Sequence, residues 1–468
     1  MKGNVAKSLP AIELPDVEEM PEGWALTTLG EIGKWRTGGT PSRKINSYFN
    51  GDIAWVKSGD LKDGIITATE EKITELGLQN CAAKLLPVGT VSVALYGATI
   101  GKIGILGIEA TTNQACANCI VDPKKISKEF LFYYIFSQRQ NLIEAGQGGA
   151  QPNLTNQIIH DWPIYLPPLT EQQRIVARIE ALLTHINAAR DRLSRVPLIM
   201  KRFRQAVLAT ACSGRLTEGW REKNSTESVE LALQKIHVKA SKTGREATDN
   251  IIPGDCILSV GDPGTPYPDG WLRVPLQQIA RLESGHTPSR QHPEYWDGNV
   301  SWIGIHDAKI HHGGYISKTL QHVTPKGLEN SAARLLPLNT VCLSRTASVG
   351  YVVIMNSSMA TSQDFVNWVC SEALLPKFLM YALMAEGEGI RKFGRGTTHT
   401  TIYYPEVKAL HICLPPIAEQ HEIIRRIGLL FELADAFDQE VAAASRRCER
   451  LTQAVLGKAF RGELVGKS

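Results

Sequence analysis

The chain has 468 residues and a net charge of +4, and its hydrophobic and charged fractions, 43% and 21%, are those of a globular protein. No apolar run approaches the roughly 18 residues of a membrane span, and the polar N-terminus lacks a signal-peptide pattern. Nine scattered cysteines favour reduced thiols over a disulfide framework. The sequence therefore predicts a cytoplasmic protein of about three domains, with a weak positive charge compatible with nucleic acid.

The first part of the chain recurs further along, so the sequence contains one unit written twice. The matching segments are PEGW (21–24) and PDGW (268–271), TGGTPSR (37–43) and SGHTPSR (284–290), NGDIAW (50–55) and DGNVSW (297–302), AAKLLP (82–87) and AARLLP (332–337), and TTNQ (111–114) and ATSQ (360–363). The offset changes only from 247 to 250 along these segments. The pattern indicates duplication of a whole domain rather than a short solenoid repeat.

Each copy is predicted to be α+β. Short β-branched and aromatic runs broken by Gly, Pro, Asn and Asp predict strands. A helical segment follows at 128–146 and again at 374–393, and then a Gly-rich turn at 146–153 and 394–401. We therefore expect two tandem, pseudo-symmetric globular domains, each followed by a long helix.

Long helices are predicted after LPPLTEQ (166–172) and LPPIAEQ (414–420), and both end on QAVL, at 205–208 and 453–456. Apolar residues recur there at spacings of four and three, which is typical of a coiled coil. Because neither helix can bury such a seam alone, we expect the two to pack as an antiparallel coiled coil. The predicted seam residues are Ile175, Ile179, Leu182, Ile186, Leu193, Phe203, Ile423, Ile427, Leu430, Phe437, Val441 and Leu451.

These patterns give five predicted segments. They are a first globular domain (1–165), a first long helix (166–213), a linker with a short helix (214–266), a second globular domain (267–413), and a second long helix with a C-terminal tail (414–468). Thr170 is the predicted N-cap of the first helix. Pro197 has Ser445 as its counterpart, so we expect a kink or break in the first helix only.

Motifs for catalysis are missing from the sequence. There is no phosphate-binding loop, no dinucleotide-binding glycine pattern and no nucleophile elbow. Cys116 and Cys119 form a lone CxxC, whose counterparts are Phe365 and Trp368, so buried core thiols are predicted rather than zinc ligands. The histidines of the second copy mostly lack metal-ligating counterparts in the first. We therefore predict no catalytic residue, no metal site and no cofactor bound by this chain.

The order of these repeated segments resembles that of the specificity subunit of type I DNA restriction-modification systems. The resemblance covers nearly the whole chain and is closest at KRFRQAVLATACSGRLTEGWR (201–221) and QAVLGKAFRGELV (453–465). It implies a non-catalytic subunit with two target-recognition domains, each reading one half of a split, asymmetric site in double-stranded DNA, while the paired helices set the gap. It also implies two copies of a methylation subunit as partners and, through them, restriction motor-nuclease subunits. S-adenosylmethionine, ATP and Mg²⁺ would belong to those partners.

Candidate DNA contacts are polar side chains at aligned loop positions, because the two domains must read different bases. In the first copy they are Thr40, Ser42, Arg43, Lys57, Ser58, Asp60, Lys62, Tyr96, Lys102, Asn113, Gln114, Gln147, Gln151 and Asn153. In the second copy they are His286, Thr287, Ser289, Arg290, His306, Asp307, Lys309, Arg345, Ser348, Gln363, Asp364, Arg395, Thr398 and His399. For the TPSR segments, a turn fixed by Gly and Pro is an equally good interpretation. Trp55 and Trp302 are predicted core residues.

Two other classes of function stay open on the sequence alone. One is a structural adaptor whose duplicated domains bind proteins, with the helices as a spacer. The other is a stand-alone nuclease or methyltransferase, which the missing motifs disfavour.

Overall fold

The computed structural model describes residues 21–146, 153–225, 227–236, 258–261, 264, 266–346, 348–387, 389–390 and 401–465. Contacts divide them into two compact units. Unit 1 comprises the described residues up to Ser194 together with those from Ala442 onward, and unit 2 comprises the described residues from Arg195 to Val441. The division cuts through both long helices, which the predicted segment limits keep whole.

Unit 1 is built on two small sheets and one strand pair. The five-stranded sheet has the order β2-β9-β6-β7-β4, the three-stranded sheet has the order β5-β3-β8, and β1 pairs with β10. The strands are β1 (Ala25–Thr28), β2 (Gly33–Thr37), β3 (Phe49–Val56), β4 (Gly64–Ile66), β5 (Glu71–Ile73), β6 (Val91–Ala94), β7 (Ile103–Leu106), β8 (Thr111–Thr112), β9 (Cys116–Val121) and β10 (Pro163–Leu166).

Unit 2 repeats this topology. Its five-stranded sheet has the order β13-β20-β17-β18-β15, and its three-stranded sheet has the order β16-β14-β19. A third sheet, β11-β21-β12, corresponds to the strand pair of unit 1 with one strand added. The strands are β11 (Leu258–Val260), β12 (Leu272–Pro275), β13 (Ala280–Ser284), β14 (Trp296–Ile303), β15 (Tyr315–Ile316), β16 (Gln321–Val323), β17 (Val341–Ser344), β18 (Val352–Met355), β19 (Ala360–Thr361), β20 (Phe365–Cys370) and β21 (Leu410–Leu414).

Helices cover the sheets and connect them. They are α1 (Glu75–Gln79), α2 (Lys128–Ser137), α3 (Arg139–Ala145), α4 (Asn156–His160), α5 (Leu169–Cys212), α6 (Glu218–Arg221), α7 (Val229–Gln234), α8 (Leu276–Ile279), α9 (Ile305–Ile310), α10 (Pro325–Glu329), α11 (Pro376–Ala385), α12 (Tyr404–Lys408) and α13 (Ile417–Phe460). The predicted α+β fold of two tandem domains, each followed by a long helix, is therefore confirmed. Among the described residues, no helix combines the length and apolar character needed to cross a membrane.

The repeated Asn-Gly (50–51) and Asp-Gly (297–298) pairs mark the same β-bulge in both units. Strands β3 and β14 each shift register at this point. Asn50 and Asp297 adopt positive φ angles of 60° and 57°, which Asn and Asp tolerate better than most residues. A Cβ on Gly51 would lie 2.5 Å from the carbonyl oxygen of Ile73 on the paired strand, so only glycine fits there.

The glutamine of the LPPxxEQ segment attaches each long helix to its globular domain. In unit 1, Gln172 Oε1 accepts a hydrogen bond from the Ser127 amide at 2.9 Å. Its Nε2 donates to the carbonyl oxygens of Lys125 and Pro167, both at 2.9 Å. Gln172 is fully buried, so the loss of any of these bonds would leave a polar atom without a partner.

Gln420 forms the same three bonds in unit 2. Its Oε1 accepts from the Leu375 amide at 2.8 Å, and its Nε2 donates to the carbonyl oxygens of Ala373 at 2.8 Å and Pro415 at 2.9 Å. The motif recurs because both helices need this attachment.

Each globular core is completed by the end of the other copy's long helix. In unit 1, Leu456, Ala459 and Phe460 of α13 join the buried core of the first domain. The Phe460 ring meets those of Phe130 and Tyr134 edge-on, with centroids 5.2 and 5.3 Å away. In unit 2, the last turns of α5 fill the equivalent position. The residues concerned are Val207, Leu208, Ala211 and Cys212.

Contacts between the two long helices run antiparallel. In unit 1, Arg190 of α5 donates to the Thr452 hydroxyl of α13 at 3.4 Å. In unit 2, Arg204 of α5 pairs with Asp435 at 2.5 Å and Asp438 at 2.8 Å. The partner's number falls as the α5 number rises, which confirms the predicted antiparallel pairing.

The predicted seam is right near the start of each helix and wrong further along α13. Phe437 and Leu451 are 52% and 47% exposed, while Cys448, Thr452 and Leu456 are buried. An α-helix has 3.6 residues per turn, so its buried face drifts by about 20° per heptad from a strict 3.5-residue repeat. Ile175, Ile179, Ile423 and Ile427 are buried, and Leu182, Ile186, Leu193, Phe203, Leu430 and Val441 are half-buried.

Two local predictions about α5 are wrong. The helix begins at Leu169, so Thr170 lies inside the first turn instead of capping it. Pro197 lies within a helix that continues to Cys212. A proline removes only one backbone hydrogen bond, and the packing of both helix ends against buried cores holds the rest.

A buried carboxylate fixes the start of α13 to the chain that follows α5. Glu419 is 1% exposed. It accepts hydrogen bonds from Thr217 Oγ1 at 2.6 Å and Trp271 Nε1 at 2.9 Å, and it pairs with Arg221 at 3.0 Å. The surrounding donors offset the cost of burying the charge.

Replacing Phe460 with alanine should destabilise unit 1 by about 3 kcal/mol or more, because it removes a buried ring from the core. Amide hydrogen exchange in β6 and β9 would measure the loss. Leu451→Ala is the matched control on the same helix, and its half-exposed side chain should cost less than about 0.5 kcal/mol. Equal effects of the two substitutions would contradict the proposed role of the α13 end.

Candidate functional site

The two TPSR loops, residues 37–43 and 284–290, are held against the end of a short strand in each unit. In unit 1 the Gly38 amide donates to Cys116 at 3.1 Å, and the Gly39 amide donates to Thr112 at 2.8 Å. A Cβ on Gly38 would lie 2.1 Å from the carbonyl oxygen of Asn113, so the loop can approach the strand this closely only with glycine. In unit 2 the His286 amide donates to the Thr361 carbonyl at 2.9 Å.

The aligned tryptophans anchor the same loops from below. Trp55 Nε1 donates to the Gly39 carbonyl at 3.1 Å, and Trp302 Nε1 donates to the His286 carbonyl, also at 3.1 Å. Both indoles are buried, at 1% and 5% exposed. Their predicted core position is therefore confirmed, and each also satisfies a loop carbonyl.

Two predicted side chains meet across the loop and the strand end in each unit. The Thr40 hydroxyl donates to Gln114 Oε1, and the Thr287 hydroxyl donates to Gln363 Oε1. Gln114 and Gln363 are exposed. An exposed glutamine whose oxygen is already fixed presents its amide N–H groups outward in a defined orientation.

A third segment reaches this surface beside the glutamine. In unit 1 the end of β6 lies between two other segments, since Leu95 bonds to Ala115 at 2.8 Å and Leu154 bonds to Leu95 at 2.8 Å. Tyr96 and Asn153 pair in an isolated bridge. The structure thereby brings together Tyr96, Gln114 and Asn153, which are 57 residues apart in sequence from first to last.

In unit 2 an arginine takes the place of Tyr96. The Arg345 amide donates to the Asp364 carbonyl at 2.7 Å, and the Ile402 amide donates to the Arg345 carbonyl at 2.8 Å. The Arg345 guanidinium lies over the ring of Tyr404, 4.9 Å from its centroid. The same backbone arrangement therefore presents a neutral aromatic group in one unit and a cation in the other.

Some predicted contacts serve the turns themselves. Asn113 Oδ1 accepts from the Ala115 amide at 3.2 Å, and Asp364 accepts from the Ser362 hydroxyl at 3.0 Å. The Ser348 carbonyl accepts a hydrogen bond from the Ser344 hydroxyl at 2.6 Å. These bonds shape the loops on which the exposed residues stand.

Asp307 is a correction to the predicted set of exposed contacts. It is 4% exposed. Its two carboxylate oxygens accept the amides of Gly304 at 3.0 Å and Leu320 at 2.9 Å, so it caps the start of α9. Asp60 accepts the Lys57 amide at 2.8 Å in the equivalent position of unit 1. An aspartate directly after a strand is often a cap, and this competing interpretation explains the error.

The segments next to these aspartates differ between the units. Residues Ser58–Asp60 form a short 3-10 turn in unit 1, whereas unit 2 has the longer helix α9. Lys62 lines an open groove of about 400 Å³ with Asp60 and Glu70. The remaining predicted residues in these segments, Ser58, His306 and Lys309, are half-buried or exposed.

Lys102 has a different environment from the loop residues. It pairs with Asp63 at 3.2 Å. Asp63 also accepts a hydrogen bond from Arg139 Nη1 at 3.2 Å. Arg139 Nε in turn donates to the Gly101 carbonyl at 2.8 Å. Lys102 thus belongs to an internal charge network that joins β7 to α3.

The arginines of the two TPSR loops lie on aromatic rings. Arg43 lies over Phe49 and Trp55, 4.7 and 5.0 Å from the centroids. Its guanidinium makes two hydrogen bonds to Glu71, at 2.6 and 3.3 Å. Lys57 pairs with the same carboxylate at 2.9 Å. Arg43 and then Lys57 lower the pKa of Glu71, which therefore stays ionised.

Arg290 lies on aromatic rings in the same way, with a neutral partner. It lies over Trp296 and Trp302, 3.9 and 5.8 Å from the centroids. Its Nη2 donates to Gln321 Oε1 at 2.9 Å. Ser42 and Ser289, on the same loops, are exposed.

A buried asparagine behind each loop escaped the sequence analysis. Asn118 Nδ2 donates to Thr112 Oγ1 at 2.8 Å, and Asn367 Nδ2 donates to Thr361 Oγ1 at 2.9 Å. Both asparagines stand six residues after their threonines, and this repeated Thr-x5-Asn spacing is the signal that could have identified them.

The remaining predictions concern thiols, histidines and the Gly-rich turns. Cys116 and Cys119 are free and buried, and burial raises the pKa of each thiol to about 12, as expected of core residues. The described part of the chain has no cluster of three or more His, Cys, Asp or Glu side chains suited to a metal ion. Gln147, Gln151, Arg395, Thr398 and His399 lie outside the described residues.

Gly38→Ala should displace the first TPSR loop from the strand end and lower the stability of unit 1 by about 2 kcal/mol or more, because the added Cβ meets backbone atoms. Gly64→Ala is the matched control, since a Cβ there has no atom within 4 Å. Urea denaturation would compare the two variants. A Gly38 variant as stable as the Gly64 variant would show that the close approach is not required.

Comparisons with known proteins follow the same division of the chain. The family model described as "Type I restriction modification DNA specificity domain" matches residues 21–196 and 268–437. The type I restriction enzyme EcoDI specificity subunit of Escherichia coli is 25% identical over 459 residues, covering 96% of this chain and 90% of its own length. The EcoBI specificity subunit, also from Escherichia coli, is 26% identical over 464 residues, covering 97% of this chain and 86% of its own length.

A solved structure shares the fold. It comes from work on complex assembly and conformational transition of the type I R-M system, and it matches with a TM-score of 0.69 at 20% identity. The match covers 95% of this chain and 99% of that chain.

Proposed function

The chain belongs to the family of type I restriction-modification DNA specificity proteins, and we propose that each of its two units reads one half of a bipartite, asymmetric DNA site. It is a DNA sequence-specificity subunit and not itself an enzyme, in agreement with its relatives. The loops described above are the proposed reading surfaces, and the paired helices α5 and α13 set the gap between the half-sites.

The observation that carries this proposal is a shared framework with different side chains. The Thr–Gln hydrogen bond, the tryptophan anchor and the buried asparagine occur in both units. The groups that stand on this framework differ, as Tyr96 and Arg345 show. A framework that fixes orientation while its exposed groups change is what reading two different half-sites requires.

Glutamine and arginine are suited to this role by their donor and acceptor groups. Gln114 and Gln363 can bond adenine in the major groove, and Arg345 can bond guanine O6 and N7. Each well-placed pair contributes about 1–3 kcal/mol of discrimination against the wrong base.

The duplicated attachment of the long helices supports recruitment of one partner twice. The buried bonds of Gln172 and Gln420 give both helices the same start relative to their own domains. Two like surfaces would hold two copies of a methylation subunit, one for each DNA strand, and through them restriction subunits. Target adenines would be extruded into the partner's pocket, because chemistry on a stacked base is blocked.

The cofactors of the reaction belong to the partners in this proposal. S-adenosylmethionine would be bound by the methylation subunit, and ATP and Mg²⁺ would be bound by the restriction subunit. This chain supplies sequence recognition and assembly, and it does so in the cytoplasm, where it has access to the chromosome. The adaptor and stand-alone enzyme alternatives lose their support, since the family match extends over both units.

Deleting the gene should remove one bipartite N6-methyladenine motif from the host chromosome, with one adenine methylated per strand. Single-molecule sequencing of methylated bases would detect the loss. Re-expression of the chain should restore the motif. An unchanged methylome in cells that express both this chain and a methylation subunit would overturn the proposal.

A further inference from the structure

The two TPSR loops carry the same arginine in opposite electrostatic environments. Resting on the proposed function, we propose that Arg290 contacts a DNA phosphate while Arg43 is neutralised within its own unit. We further propose that one strand residue, Glu71 in unit 1 and Gln321 in unit 2, decides the difference. The inference assigns the two half-sites unequal shares of the salt-dependent binding free energy.

Strand register establishes that Glu71 and Gln321 are equivalent positions. Trp55 of β3 pairs with Glu71 of β5, and Trp302 of β14 pairs with Gln321 of β16. Because both arginines lie over the aligned tryptophans, each one meets the residue at this position. The substitution of Gln for Glu is therefore a change in one contact of an otherwise shared arrangement.

In unit 1 the positive charges are balanced. Glu71 pairs with Arg43 at 2.6 Å and with Lys57 at 2.9 Å, and Glu70 pairs with Lys57 at 3.4 Å. Two cations thus face two carboxylates. A phosphate approaching Arg43 would meet both carboxylates, and like charges at close range oppose binding.

In unit 2 the acids are replaced by neutral residues. Leu320 occupies the place of Glu70, one residue before Gln321, and Gly304 occupies the place of Lys57. Within the described ranges, Arg290 forms no ion pair with Asp or Glu. The nearby Glu294 pairs with His292 at 3.4 Å and Lys326 at 3.5 Å.

Arg290 is also pre-oriented for an anion. Its guanidinium lies flat over Trp296 with a centroid distance of 3.9 Å, and one of its donors is held by Gln321. The group has five N–H donors, so several stay available, and the residue is exposed. A guanidinium fixed by stacking loses less conformational entropy when it binds phosphate.

A phosphate contact has a signature that a base contact lacks. It weakens binding to every DNA sequence equally and makes the salt dependence less steep by about 0.9 for each phosphate lost. A guanine contact would instead affect only the duplex that carries the recognised site.

The test uses the full chain purified with its methylation subunit. Binding would be measured between about 50 and 200 mM salt, on a duplex carrying the motif found by methylome sequencing and on the same duplex with that motif scrambled. Arg290→Gln should weaken binding to both duplexes and reduce the slope of log K against log salt by about 0.9. Arg43→Gln should change that slope by much less.

Reciprocal exchanges of the deciding residue provide matched controls. Gln321→Glu should neutralise Arg290 and reproduce the smaller slope of Arg290→Gln. Glu71→Gln should free Arg43 and make the slope steeper. Because each exchange replaces one side chain with its isostere, the thermal unfolding midpoint should stay close to that of the unsubstituted protein.

Three results would count against the inference. One is an unchanged slope for Arg290→Gln, another is a loss confined to the specific duplex, and the third is an equal effect of Arg43→Gln. Each of these leaves the proposed function intact as long as the unsubstituted complex prefers the specific duplex. Failure of that preference would instead overturn the proposed function.

Discussion

The structure depends on an exchange of helix ends between the two halves of the chain. A long amphipathic helix is stable in water only when another element covers its apolar face. Here the end of α13 completes the core of the first domain, and the end of α5 completes the core of the second. Residues separated by more than 300 positions, such as Phe130 and Phe460, must therefore come together before unit 1 is complete.

The repeated sequence segments acquire physical meanings from this arrangement. The LPPxxEQ segments provide the buried glutamines that attach each helix to its own domain. The Asn-Gly and Asp-Gly pairs produce the bulges of β3 and β14. The tryptophans that follow them hold the TPSR loops. Each of these bonds serves the framework, so the exposed side chains are free to differ between the units.

Much of the fold could be predicted because the duplication acts as an internal comparison. Segments repeated in the same order established two α+β domains and two long helices. The seam of α13 was harder to place, since the drift between 3.5 and 3.6 residues per turn exposes Phe437 and Leu451. The helix also continues through Pro197, because the packing at its two ends is not visible in the local sequence.

The candidate site could be located from the sequence but its electrostatics could not. Thr40 and Gln114 are 74 residues apart, yet both belong to repeated segments, and the structure brings them together. The roles of Glu71 and Gln321 depend on strand register, which the sequence does not reveal. Asp307 has the residue type of a base contact and the position of a helix cap, and only its burial distinguishes the two.

The most direct test of the central claim exchanges one recognition domain. Residues 268–413 would be replaced by the equivalent segment of the EcoDI specificity subunit, and methylated bases in the host chromosome would be sequenced. The account predicts that one half of the bipartite motif changes while the other half and the gap between them are retained. A motif that stays the same, or one that changes in both halves, would contradict the assignment of one half-site to each unit.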